Sequence, residues 1–309
     1  MNTHGSRAQR RWRPAWPIGL DPILQPLTRG PRDPVARRTG PGQWWLTAGT
    51  TDGPTSLALQ QDGPEVVAQA WGGGAHRLLD GLPRMLGAAD DPAGFDPAPG
   101  TVVGHQWRLH GQHWRVPATG LVWESLLLAV LEQKVTGVES RRSWYRLCLD
   151  HGQPAPGPAP PGMQVVPGFE AVAAVPSWWW RAAGVDHQRA GTLLRLAGHR
   201  RHIRAAGEGD LDLTGARQVL SAVPGVGPWT LAEVACRALG NADAVSVGDF
   251  HLANSVGYAL TGAHRSTDAQ LLELLAPFTP HRYRAVRMVE LAGITAPRRG
   301  PRAAIPDHR

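Results

Sequence analysis

The segment Leu220-Ser221-Ala222-Val223-Pro224-Gly225-Val226-Gly227-Pro228-Trp229-Thr230-Leu231-Ala232 constrains this chain most. A helical run ends near Ala222, a tight Pro-Gly-Val-Gly turn follows, and a new helix starts at Pro228. Proline suits the first helical position, because the amide it lacks has no partner there anyway. The two glycines let the backbone take positive φ and approach a ligand closely. Free amides at the start of the 228–240 helix favour an anion such as a phosphate group. The same turn serves equally as an ordinary αα-hairpin with glycines for tight packing. On this segment alone both readings stand.

The rest of the chain narrows the classes. At 309 residues it has room for about two domains, and 42% hydrophobic residues suffice for a sizeable core. The formal charge of +7 agrees with a polyanionic partner. Lys134 is the only lysine, so every other one of the 32 basic residues is arginine. With 37 Gly and 28 Pro, that bias reads partly as a coding bias and carries little functional weight. Two cysteines, Cys148 and Cys236, are too few for a thiolate zinc site or an iron–sulfur cluster. Free thiols suit a reducing compartment, and no secretory signal or membrane-length apolar run is visible, so a cytoplasmic protein without a membrane partner is expected.

The texture of the sequence divides the chain. Residues 1–40, rich in Arg, Pro and Gly, read as a poorly ordered arm. Residues 41–118 read as a small α+β domain: a hairpin around Thr51-Asp52-Gly53-Pro54, a third strand at 66–71 and a helix over 75–87. From 119 to 295 the pattern is helical, with an apolar stripe at 121, 122, 126, 127, 130 and 131 and helices near 138–150, 186–206, 212–222, 228–240 and 282–292. Residues 296–309 read as a tail. Trp123 and Trp144 are expected in the core, and Trp178, Trp179 and Trp180 cannot all face one way on a helix. His105, His110 and His113 are spaced too irregularly for a metal site.

The segment Asp243-Ala244-Val245-Ser246-Val247-Gly248-Asp249-Phe250-His251-Leu252 lies about twenty residues after the hairpin. Alone, Asp249 reads as a helix N-cap. Together, the two segments resemble the helix-hairpin-helix DNA glycosylases, most closely the 3-methyladenine DNA glycosylase II branch. Two more stretches carry the resemblance: Val130-Leu131-Glu132-Gln133-Lys134-Val135 and Ala183-Gly184-Val185-Asp186-His187-Gln188-Arg189-Ala190. It spans residues 119–295, and 40–115 only loosely.

The resemblance implies an α+β N-terminal domain followed by an all-α helix-hairpin-helix glycosylase domain. It also implies a monomeric base-excision-repair enzyme that flips an alkylated base out of double-stranded DNA and hydrolyses its N-glycosidic bond. Asp249 matches the catalytic aspartate, which stabilises an oxocarbenium-like sugar and orients water. Trp229 matches a base-pocket aromatic suited to a cationic base. Glu290 stands where some relatives have a pocket tryptophan. Gly225, Gly227 and Thr230 of the hairpin, with Gln133 and Lys134, correspond to DNA contacts, Lys134 falling at the wedge position. The carbonyls of Ser221, Val223 and Val226 correspond to a monovalent cation site, and no other cofactor is implied. Lyases of the superfamily carry a lysine just after the hairpin, where this chain reads Pro228-Trp229, so a monofunctional glycosylase is expected. His251 reads as local structure. Arg282, Arg284 and Arg287 are read as a solvated face that can touch phosphate. The alternatives are a glycosylase for another damaged base and a non-catalytic helix-hairpin-helix DNA-binding module.

Overall fold

The computed structural model describes residues 7–297. Most of the expected tail, and the first six residues of the expected arm, lie outside them. The rest of the arm is structured. Strand β1 (Arg7–Trp12), helix α1 (Leu20–Leu24) and strand β2 (Ala36–Gly40) belong to the N-terminal domain. They join β3 (Gln43–Thr50), β4 (Gly53–Asp62) and β5 (Glu65–Gly72) in an antiparallel sheet of order β1-β5-β4-β3-β2. Alternation sets its inner face: Trp44, Leu46, Leu57, Leu59, Val66, Ala68 and Ala70 are all buried. The short helices α2 (Ala75–Asp80) and α3 (Leu82–Met85) follow. Helix α4 (Val102–His110) then carries His105 and His110 in a region where the sequence signalled no helix. No group of three or more metal-ligating side chains occurs among the described residues.

The helical part begins with α5 (Val122–Glu132), which is apolar around most of its circumference and buried along nearly its whole length. Around it pack α6 (Gly137–His151), α7 (Phe169–Ala173), α8 (Ser177–Ala182), α9 (His187–Gly198), α10 (Arg200–Glu208), α11 (Leu213–Ser221) and α12 (Pro228–Val234). The expected 186–206 helix is split at His199, which ends α9 and opens α10. Trp123, Trp144, Trp179 and Trp180 are in this core, and Trp178 is exposed. The 152–167 connector forms a two-strand ladder, β6 (Gln153–Pro154) with β7 (Gln164–Val165). It also rests on the sheet, where Thr47 Oγ1 donates to the Gln164 carbonyl at 2.6 Å.

The last helices, α13 (Leu252–Thr261), α14 (Asp268–Leu275) and α15 (Arg282–Leu291), do not share the α5 core. Val256, Leu271, Leu275, Val286 and Met288 pack into the same core as the sheet. The helical segment 119–295 is therefore divided between two cores. Its C-terminal third closes the N-terminal domain, which needs that apolar surface to cover one sheet. The junction between the cores is where the candidate site lies. No helix among the described residues is long and apolar enough to cross a membrane.

Candidate active site

The hairpin forms as its residues dictate. Helix α11 ends at Ser221, the chain turns through Val223 to Val226, and Gly227 N-caps α12 in an extended conformation. Gly225 is at φ +97°, and a Cβ there would lie 2.1 Å from Thr192 Oγ1. Thr192 is itself buried and hydrogen-bonded to Gln188 and Arg195, so it cannot give way. Gly225→Ala is expected to cost about 1–3 kcal/mol of stability from the left-handed backbone alone, with the clash added. Gly227 has open space where its Cβ would be. Gly227→Ala should cost no more than about 1 kcal/mol, and paired thermal melts of the two variants check the contrast.

Two side chains read as DNA contacts, Gln133 and Thr230, and the one read as a base-pocket ring, Trp229, have partners within the protein. Gln133 Nε2 donates to the Gly225 carbonyl at 3.0 Å and to Thr230 Oγ1 at 2.9 Å. Thr230 is buried, so Gln133 and Thr230 tie the end of α5 to the hairpin. Trp229 donates its indole N–H to Asp249 Oδ2 at 3.3 Å and is absent from the walls of the adjoining cavity. Its indole N–H braces the carboxylate that lines that cavity. Lys134 is exposed, between α5 and α6, at φ +54°. Such a backbone angle is uncommon for a residue with a Cβ. The carbonyls of Ser221, Val223 and Val226 lie in the turn, and that of Val223 already accepts the Val226 amide at 3.0 Å.

Asp249 follows Gly248, which is at φ +91°. Its Oδ1 accepts the amides of His251 and Leu252, both at 2.8 Å, at the start of α13. The N-cap position itself is His251, so Asp249 is not the N-cap; it holds the helix start from two residues earlier. The same carboxylate lines a cavity of about 580 Å³ at the junction of the two cores. His251 is at its rim and Phe250 points outward, largely exposed.

The cavity walls are more charged than the sequence suggested. After α12 the chain makes a wide π-helical turn, Ala235–Leu239, which carries Cys236 and Arg237 into the wall. Such turns re-aim side chains within a helix. Arg237 Nη2 pairs with Glu233 Oε2 at 2.5 Å, and Glu233 Oε1 accepts Ser246 Oγ at 2.5 Å. Glu132 lies 3.9 Å from Arg237 and is held at 2.5 Å by Arg29. Burial works against the charge on Arg237, but Glu233 and Glu132 outweigh it and raise its pKa above the usual guanidinium value. Burial and nearby Glu233 push the Cys236 thiol up to about 12, so it is no nucleophile at neutral pH. Arg29 comes from the supposed arm, whose low-complexity composition gave no sign of it.

Helix α15 also lines the cavity. Glu290 lines the cavity as expected of a pocket residue, but its carboxylate pairs with Arg287. Its charge is therefore compensated rather than held free for a cationic base. Arg282, Arg284 and Arg287 are not a solvated face. Arg282 pairs with Asp243 at 2.6 Å, Arg284 is fully buried with Asp90, and Arg287 is in the cavity wall. Helical spacing reads these arginines as surface because all their carboxylate partners except Glu290 are on other elements.

Sheet-plus-helices architecture, hairpin and downstream Asp249 together define the fold of the helix-hairpin-helix DNA glycosylases. Solved structures agree with this. The 3-methyladenine DNA glycosylase from Archaeoglobus fulgidus superposes with a TM-score of 0.74 at 13% identity, covering 91% of this chain and 97% of that one. The 8-oxoguanine glycosylase/lyase of Clostridium acetobutylicum, in complex with double-stranded DNA containing cytosine opposite 8-oxoG, gives 0.66 at 11% identity, covering 94% and 99%. MBOgg1 in complex with a low-affinity DNA ligand gives 0.65 at 13% identity, covering 92% and 96%. No protein-family model matches the chain, and no curated protein matches it in sequence.

Proposed function

We propose that this protein is a monofunctional DNA glycosylase. It binds duplex DNA, accepts an extruded alkylated base of the 3-methyladenine type into the cavity beside Asp249, and hydrolyses the N-glycosidic bond. The observation that carries this is the position of Asp249. A carboxylate held by two amides and an indole, and still lining a cavity of about 580 Å³, is more than a cap needs. Its role is to stabilise positive charge on the sugar as the base leaves, and to orient the water that replaces it. An alkylated purine already carries positive charge, so it leaves without a strong general acid.

The surroundings fit duplex binding. Gly227 opens the first turn of α12, whose amides suit a phosphate, and the hairpin carbonyls of Ser221, Val223 and Val226 are the candidate seat of a monovalent cation. Exposed Lys134, on a left-handed backbone, is the candidate for filling the gap left by the flipped nucleotide. Monofunctional chemistry follows from the lysine count. The only lysine in the chain precedes α6, and the position after the hairpin is Pro228-Trp229. The non-catalytic module is disfavoured, since phosphate binding alone needs no carboxylate beside a cavity.

The test is incubation with methylated duplex DNA. The expected result is free methylated bases and intact abasic strands, with strand breaks only after added alkali or an abasic-site nuclease. Spontaneous strand cleavage would refute the monofunctional reading, and tight duplex binding with no base released would make the chain a binding module.

A further inference from the structure

We infer that Phe250 is a positioning residue for DNA: its ring stacks on the base next to the extruded nucleotide, on the face that extrusion lays open. This rests on the glycosylase reading and extends it to the strand outside the cavity. A single exposed phenylalanine needs no explanation in itself. Phe250 is marked by where it stands. It is 77% exposed, more than any other large hydrophobic side chain among the described residues. It follows Asp249 directly in the chain, and its ring meets the His251 ring edge-on with centroids 5.0 Å apart. Asp249 and His251 line the cavity, and Phe250 does not. The ring is therefore beside the rim, placed for DNA that crosses the mouth and not for the base inside.

The backbone that carries the ring is held on both sides. Asp249 Oδ1 accepts the amides of His251 and Leu252, and the Phe250 carbonyl accepts Asn254 Nδ2 at 3.1 Å. Asn254 Oδ1 in turn accepts the Ser266 amide at 3.0 Å. Reach follows from dimensions. Consecutive Cα atoms are about 3.8 Å apart, and successive bases of one strand rise by about 3.4 Å. A sugar held at the Asp249 carboxylate thus brings the neighbouring nucleotide within a side chain's length of Phe250. Extrusion takes a stacking partner away from that neighbour. An aromatic ring replaces it whatever the sequence, since every base has a π-face. Lys134, the candidate for filling the gap itself, has a flexible stem and a strongly hydrated ammonium. Phe250 supplies the aromatic face that Lys134 lacks.

Two labelled duplexes test this, identical except that one carries a tetrahydrofuran abasic analogue at its centre, which presents the gap with no base to hydrolyse. Each is titrated by fluorescence anisotropy with wild type, Phe250→Ala, Phe250→Leu and Phe250→Trp. Wild type is expected to prefer the abasic duplex, and Phe250→Ala to lose about tenfold of that preference while its affinity for the intact duplex holds within about twofold. Single-turnover base release from methylated duplex should fall by a similar factor. Phe250→Trp should restore both, and Phe250→Leu should not, since leucine brings apolar area without a ring. The side chain is exposed, so thermal melts of the variants should coincide with wild type. An unchanged preference and rate in Phe250→Ala, an equal loss on both duplexes, or full rescue by leucine overturns the inference and leaves the glycosylase reading intact. Wild type that releases bases without preferring the abasic duplex overturns it too. Wild type that releases no base overturns both.

Discussion

Asp249→Asn is expected to lower the rate of base release by about 10²–10³-fold while the protein stays folded. The asparagine keeps an oxygen for the amides of His251 and Leu252, which lie 2.8 Å from Oδ1. The two amides at the start of α13 therefore keep an acceptor, and the change in stability should stay within about 1 kcal/mol. What is lost is the negative charge beside the cavity. If the carboxylate only capped the helix, Asp249→Asn would melt slightly earlier and release bases at the wild-type rate. If it stabilises the developing sugar cation, single-turnover rates fall at saturating enzyme while duplex affinity holds or rises, because only the transition state needed the charge. Trp229→Phe separates the supporting role. It removes the indole N–H, 3.3 Å from Oδ2, and keeps most of the ring. Its expected effect is several-fold, well below that of Asp249→Asn, since one weak orienting bond is lost and the charge remains. Full activity in Asp249→Asn, measured by base release with thermal melts alongside, would remove the residue from the mechanism.

The hairpin and Asp249 were legible because each depends on neighbours in sequence. Pro228 at a helix start, Gly225 at a turn and an aspartate before an apolar helix are local signals, and the structure uses them locally. The hairpin of β3 and β4 and the third strand β5 were equally readable from alternation. Strand β1 was not. Its sequence, Arg-Ala-Gln-Arg-Arg-Trp, turns Ala8 and Trp12 to the core but interrupts that face with Arg10, and the edge strand is also held by its backbone ladder to β5 and by Arg10 Nη1 donating to the Leu79 carbonyl at 2.7 Å. The division of the helical segment between two cores was invisible for a related reason. An amphipathic stripe on α13 or α15 says that the helix buries a face, and nothing about which core receives it. The cavity is at that division, so its wall of Arg29, Arg237 and Arg287 could not be assembled from spacing. Each of those arginines is charged, and composition alone assigns charged residues to the surface.

Arg284 shows the energetic side of the same point, and Asp90→Ala is the change expected to destabilise the fold most. The two side chains are 0% and 3% exposed, and their bonds are bidentate, Nη1 to Oδ2 at 3.0 Å and Nη2 to Oδ1 at 2.7 Å. Asp90 Oδ2 also accepts the Val116 amide at 3.0 Å. Phe95, Trp107 and Trp114 surround the guanidinium, with ring centroids 5.8, 5.6 and 5.5 Å from its carbon. Those faces favour a cation but cannot replace the carboxylate's acceptors. Asp90→Ala strands a charge in this apolar shell, and breaking a buried pair in this way costs about 3–5 kcal/mol. For a chain of this size that is a fall in Tm of about 5–8 °C. Asp90→Leu combined with Arg284→Met removes both charges and should recover most of the loss, because an apolar replacement of similar volume needs no partner. A double variant no more stable than Asp90→Ala would mean that the pair's geometry, and not the stranded charge, sets the cost. The effect should also reach the cavity. Arg284 sits one turn before Arg287 on α15, and the pair pins that helix to the loop after α3. In Asp90→Ala, base release should therefore fall already at temperatures below the main melting transition, as α15 loosens and withdraws Arg287 and Glu290 from the cavity that Asp249 lines.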